Sequence, residues 1–229
     1  MVQSRYAGPV HATEWAKGWG LFLLAALALL QPAFAAPPER TVLVFGDSLS
    51  AGYGMAESQG WVALLAQRLE RQKTGWKVVN ASVSGETTAG GVARIEAALQ
   101  RTDPDLVVIE LGANDGLRGL PLARMRANLQ RMVQVSRARG AEVLLLGMRM
   151  PPNLGRAYTE GFAGNYASVA KSEKVSLLPF MLEPVAGDRD NFQPDHLHPT
   201  AAVQPLLLEH VWTSLEPMLR IDLAQARAR

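Results

Sequence analysis

The chain has 229 residues, 48% of them hydrophobic, with 23 basic and 21 acidic side chains, a net charge of +2 and no cysteine. The near-balance of charge gives no reason to expect nucleic acid as a partner. The missing thiols exclude disulfides, cysteine nucleophiles and thiolate metal sites.

The first segment reads as an address rather than as structure. Lys17 precedes the apolar run Gly18 to Leu30, which falls short of the ~20 residues a spanning helix needs. Gln31-Pro32 and Ala33-Phe34-Ala35 follow, with small residues where a signal peptidase cuts. Residues 1–35 are therefore predicted to be a secretory signal cleaved after Ala35. The mature protein is expected to be periplasmic or secreted, with no stable membrane anchor. Residues 36–220 read as one domain, because no linker, repeat or low-complexity tract divides them, and residues 221–229 as a frayed tail.

Within that domain, apolar runs alternate with segments of helical period, the pattern of β-α units around a parallel sheet. The predicted strands are Thr41–Phe45, Lys77–Ala81, Leu106–Leu111, Glu142–Gly147 and Val175–Leu178. Helices are predicted around Trp61–Leu69, over Ala89–Gln100, Leu122–Arg139 and Tyr158–Lys171, and over Ala201–Leu219 despite Pro205. The expected fold is a three-layer α/β/α sandwich on a five-stranded parallel sheet. Two irregular segments, Met148 to Arg156 and Glu183 to Pro194, leave the sheet on the side where the reactive residues gather, so they are natural cleft walls.

The chemistry-bearing residues follow strands. Gly46-Asp47-Ser48-Leu49-Ser50 comes directly after the first, which places Ser48 where a buried strand turns into a helix. A serine hydroxyl needs an imidazole to take its proton as it attacks. Beyond residue 35 the histidines are His196, His198 and His210. His210 sits inside the last helical pattern and reads as a structural or surface residue. In Asp195-His196-Leu197-His198, an acid and an imidazole three residues apart meet across one tight turn, so Asp195 holds one ring nitrogen while the other faces Ser48. His196 directly follows the acid and is expected to project away from it. Gly85 and Asn114, in the segments after the second and third strands, suit an oxyanion hole completed by the Ser48 N–H. Glycine admits a close backbone approach, and the asparagine amide donates without titrating. Asp115, beside that donor, reads as a turn or gating residue. Asp47, Leu117, Met150 and Leu154 are the candidate substrate-binding residues, with the apolar ones suited to an acyl chain. The G-x-S-x-G elbow and the Walker phosphate loop are absent, and three histidines, two of them in one loop, make no metal-ligand set.

In order along the chain, G-D-S-L-S-A-G-Y-G, N-A-S-V-S-G-E-T, E-L-G-A-N-D-G-L-R-G and D-H-L-H-P resemble the four sequence blocks of the SGNH or GDSL hydrolase family. The likeness is to its bacterial periplasmic multifunctional esterases and spans about Arg40 to Leu219. The resemblance implies the flavodoxin-like strand order 2-1-3-4-5 and a Ser48-His198-Asp195 triad. It also implies an oxyanion hole of the Ser48 and Gly85 N–H groups with the Asn114 amide, and movement of Asp115 to Leu120 on substrate binding. The implied activity is hydrolysis of ester and thioester bonds of acyl substrates through an acyl-enzyme, as an esterase, arylesterase, acyl-CoA thioesterase or lysophospholipase. The expected partner is a small acyl ester or thioester, with no cofactor, no metal and a monomeric enzyme. The alternatives are a carbohydrate O-acetyl esterase of the same wider family and a non-catalytic lipid- or glycan-binding module.

Overall fold

A computed structural model describes Met1 and residues 39–219. The signal segment 1–35, Met1 apart, and the tail 221–229 lie outside the described residues. Five parallel strands, β1 (Arg40–Gly46), β2 (Trp76–Asn80), β3 (Leu106–Glu110), β4 (Glu142–Leu146) and β5 (Ser176–Leu178), form one sheet in the order β2-β1-β3-β4-β5. The central strands are continuous apolar runs because both of their faces are covered. Every residue of β3 is buried, and so is all of β1 after Arg40, whereas the edge strand β2 is half-exposed.

Among the described residues seven helices connect and follow the strands: α1 (Ser48–Ala51), α2 (Trp61–Arg71), α3 (Thr88–Thr102), α4 (Ala113–Leu117), α5 (Leu122–Ala138), α6 (Arg156–Glu173) and α7 (Gln204–Leu219). Right-handed crossovers place α3, α5 and α6 in one layer, packed in that order, and α2 against α7 in the other. Pro205 costs nothing in the first turn of α7, where no backbone N–H is needed. Ala201–Val203 ahead of it is a separate 3-10 turn, and the proline inside the helix is Pro217, near its end. The His210 ring nitrogen Nε2 meets the Phe180 carbonyl at 2.9 Å, a structural tie between α7 and the loop after β5.

The last carbonyl of α7, on Leu219, accepts from Trp76 Nε1 at 2.9 Å and Arg40 Nη2 at 3.2 Å. These bonds pin the end of the domain to the start of β1 and β2. Among the described residues no helix is long and apolar enough to cross a membrane.

Candidate active site

Strand order reverses between β1 and β3, and the crevice outside the carboxyl ends of those strands is where this architecture exposes its chemistry. β1 ends at Gly46, Asp47 caps the next turn by accepting from the Leu49 N–H at 3.0 Å, and Ser48 is the first residue of α1. That helix stops after four residues because Gly52 takes a left-handed C-cap with φ 74°. As the first helical residue, Ser48 has a backbone N–H with no intrahelical acceptor.

Ser48 Oγ lies 2.8 Å from His198 Nε2, and His198 Nδ1 lies 2.7 Å from Asp195 Oδ2. With Nδ1 carrying the proton, the ring donates to Asp195 and accepts from the Ser48 hydroxyl. Asp195 Oδ1 accepts the backbone N–H groups of Leu197 and His198, at 2.9 and 3.1 Å, closing the tight turn expected from the spacing. Partial desolvation pushes Asp195 upward, but its bond from the His198 ring and those two N–H bonds outweigh it and bring the carboxyl down to about 2. It therefore stays ionised across the working range. His196 sits in the same turn with φ 58°, lines the cavity, and has no bond to Asp195 among the described residues. The Tyr53 ring covers His198 at a centroid distance of 4.4 Å, tilted by 37°. Gln193 holds the arrangement together: its N–H donates to the His198 carbonyl at 2.8 Å and its side-chain amide to the Tyr53 carbonyl at 2.8 Å.

Gly85 and Asn114 line the same cavity as Ser48. Gly85 has φ 79°, a conformation that glycine adopts without steric cost, and among the described residues nothing accepts from its N–H. Asn114 Nδ2 donates to Asp47 Oδ2 at 3.0 Å, which uses one amide hydrogen and leaves the other for a ligand. Arg94 on α3 braces the Gly85 loop against the end of β1. It pairs with Glu86 at 2.5 Å, donates to the Ala81 carbonyl at 2.6 Å, reaches the Gly46 carbonyl at 3.5 Å and stacks over Phe45.

The cavity has a volume of about 710 Å³ and is walled by both irregular segments: Met148 to Pro152 on one side, and Leu182, Ala186 and Phe192 on the other. Leu117 and Met150 line it, and Leu117 is 44% exposed at its mouth. Leu154 does not line it. It ends the 3-10 turn Pro152–Leu154 and is exposed, and because side chains in such a turn point about 120° apart, the turn that presents the prolines inward sends Leu154 elsewhere. Asp47 borders the cavity, yet its carboxylate is fully buried and bonded to Leu49 and Asn114. Burial pushes that carboxyl up to about 6, against the lowering pull of the Leu49, Glu110 and Asn114 bonds and the His198 charge.

Asp115 differs from the turn or gate expected of it. It is buried and accepts from the Thr88 N–H at 2.8 Å and the Thr88 hydroxyl at 2.5 Å, fastening α4 to the start of α3. Three further residues escaped the sequence reading: Arg94, Tyr53 and the fully buried Glu110 beneath the turn that carries Ser48. Only Glu110 carried a signal, an acid closing the otherwise apolar run Leu-Val-Val-Ile-Glu.

Residues 44–204 match the GDSL-like lipase/acylhydrolase family. The chain is 53% identical to esterase TesA of Pseudomonas aeruginosa over 196 residues, covering 86% of this chain and 96% of that protein. It is 40% identical over 196 residues to thioesterase 1/protease 1/lysophospholipase L1 of Escherichia coli strain K12, covering 86% of this chain and 93% of that one. The crystal structure of the psychrotrophic esterase EstA from Pseudoalteromonas sp., inhibited by monoethylphosphonate, superposes with a TM-score of 0.76 at 38% identity, over 79% of this chain and 98% of that one.

Proposed function

The chain belongs to the GDSL-like lipase/acylhydrolase family, an enzyme family of esterases, and on that premise we propose that Ser48, His198 and Asp195 are its catalytic triad. The protein is an esterase and thioesterase of acyl substrates. The observation that carries the residue assignment is the unbroken line Ser48 Oγ, His198 ring, Asp195 carboxylate, opening on a mostly apolar cavity.

In this reading Ser48 Oγ attacks the acyl carbonyl carbon while its proton passes to His198 Nε2. The carbonyl π electrons move onto oxygen, which the N–H groups of Ser48 and Gly85 and the free Asn114 amide hydrogen receive. Asp195, anionic throughout, stabilises the imidazolium and holds its tautomer. Collapse of the adduct breaks the ester C–O or thioester C–S bond, and the leaving group takes the proton from Nε2. Water then attacks the acyl-Ser48 ester with His198 again as base, releasing the acid and restoring the serine. Leu117, Met148 and Met150 receive the acyl chain in the cavity, and the leaving group faces its open mouth. The mature enzyme, cut after Ala35, works in the periplasm as a monomer.

The test is a p-nitrophenyl ester series from acetyl to palmitoyl, with Ser48→Ala as control. Hydrolysis of octanoyl and longer esters is expected; activity confined to acetyl esters would favour a carbohydrate deacetylase, and none on any ester a binding module. Asn114→Ala is expected to lower kcat by about 10²–10³ with little change in KM, because that bond strengthens mainly in the transition state. Steady-state kinetics on one such ester checks this, and a pure KM effect would make Asn114 a ground-state binding residue.

A further inference from the structure

Glu110 closes β3, is fully buried, and has no hydrogen-bond partner at Oε1. Its Oε2 accepts the Asp47 N–H at 3.3 Å and the Ser50 hydroxyl at 2.9 Å, so it grips the chain on both sides of Ser48. This closeness depends on Gly46, since a Cβ there would stand 2.8 Å from Oε2. The Asp47 N–H bond sets two fully buried carboxyls side by side, close enough for one to donate to the other once a proton is present.

Two buried carboxyls in contact do not both ionise, so one proton stays with the pair. No cationic side chain bonds either of them among the described residues; Arg94 bonds Glu86 and the Ala81 and Gly46 carbonyls, and neither carboxyl of the pair. The other groups that bear on the pair are His198, whose charge favours an anionic Asp47, and Tyr166 on α6, which burial first, and then the nearby carboxylates of Asp47 and Asp115, hold neutral. Asp47 has three donors or partners that favour its anion, the Leu49 N–H, Glu110 and the Asn114 amide, whereas burial and the Asp47 charge push Glu110 well above its ordinary value. The proton therefore resides on Glu110.

We propose that Glu110 is a positioning residue: as a buried neutral acid it donates to Asp47, and the acid–carboxylate pair locks the Asn114 amide toward the oxyanion. The inference rests on the placing of Asn114 in the oxyanion hole. Anionic Asp47 captures one Nδ2 hydrogen of Asn114, and the geometry of the planar amide then fixes the direction of the other. The nucleophile turn is held by the same acid through Asp47 N–H and Ser50 Oγ.

Stability against pH tests the proton without using catalysis. A carboxyl whose folded value is raised contributes stability that is complete below its ordinary value of 4.5 and is lost as pH rises toward the folded value. Urea unfolding of the wild type and E110Q from about pH 5 upward should therefore show the folding constant of wild type relative to E110Q falling as pH rises, by at most about tenfold per pH unit. A ratio independent of pH would mean that Glu110 is ionised in the folded protein, and would overturn the proposal. Kinetics test the positioning. E110Q, neutral and able to donate, should keep kcat within about threefold, while E110L should lose about tenfold or more in kcat with KM within about twofold. An unchanged kcat in E110L, or a loss in KM alone, would overturn it. If E110L yields no folded protein, E110Q decides: loss of more than about tenfold in its kcat, or a flat stability ratio, sinks the inference. Failure of the Asn114→Ala prediction, with the pH ratio still falling, would instead locate the error in the oxyanion assignment.

Discussion

Ser48→Ala is expected to abolish ester hydrolysis, with kcat falling by about 10⁴–10⁶, the range seen when the nucleophile of a serine relay is removed. The loss should be chemical rather than structural. Ser48 is only 9% exposed, but it occupies the first position of a four-residue helix and its side chain makes one described bond, to His198. Deleting that bond costs on the order of 1 kcal/mol in stability. Thermal melting should therefore move by only a few degrees, while a fluorophosphonate probe that labels the wild type at Ser48 leaves the variant unlabelled. Labelling at another serine, or undiminished turnover, would show that the nucleophile lies elsewhere.

The neighbouring histidines should respond very differently. His198→Ala removes the one ring that contacts both Asp195 and Ser48, at 2.7 and 2.8 Å, and several orders of magnitude in kcat should go with it. His196→Ala should cost about tenfold or less, because its ring supplies no proton transfer. The turn itself sorts the two: with φ 58° at His196, the chain folds back so that the third residue after the acid, not the first, closes on it. Parallel kcat and KM measurements on both variants check the asymmetry. A dead His196→Ala beside a nearly normal His198→Ala would require the relay to be rebuilt around the other ring.

Much of this was legible in the sequence for a physical reason. β1, β3 and β4 are buried on both faces, so they read as unbroken apolar runs, and their ends were placed to within a residue or two. The Asp195–His198 contact was legible because it is local, closing across three residues. What the sequence hid depends on packing between distant segments. Nothing near Asp115 announces that its carboxylate will cap α3 across 27 residues, and nothing near Arg94 announces its bonds to two separate stretches of chain. Leu154 was grouped with the cavity by composition, but an apolar side chain in an irregular segment has no period to fix its direction.

The bonds that Arg40 and Trp76 make to the last carbonyl of α7 bring the two ends of the described domain to one rim of the sheet. β1 has seven residues, and at about 3.3 Å per residue Ser48 stands about 20 Å away, at the opposite rim. The first strand and the last helix of the described domain thus meet at one pole of it, and Ser48 lies at the other. A solid support or a fused protein attached at either end would point away from incoming substrate. The same proximity makes the old ends joinable by a short bridge, so the molecule has the geometry for circular permutation, with a new break placed in a surface loop remote from the catalytic pole.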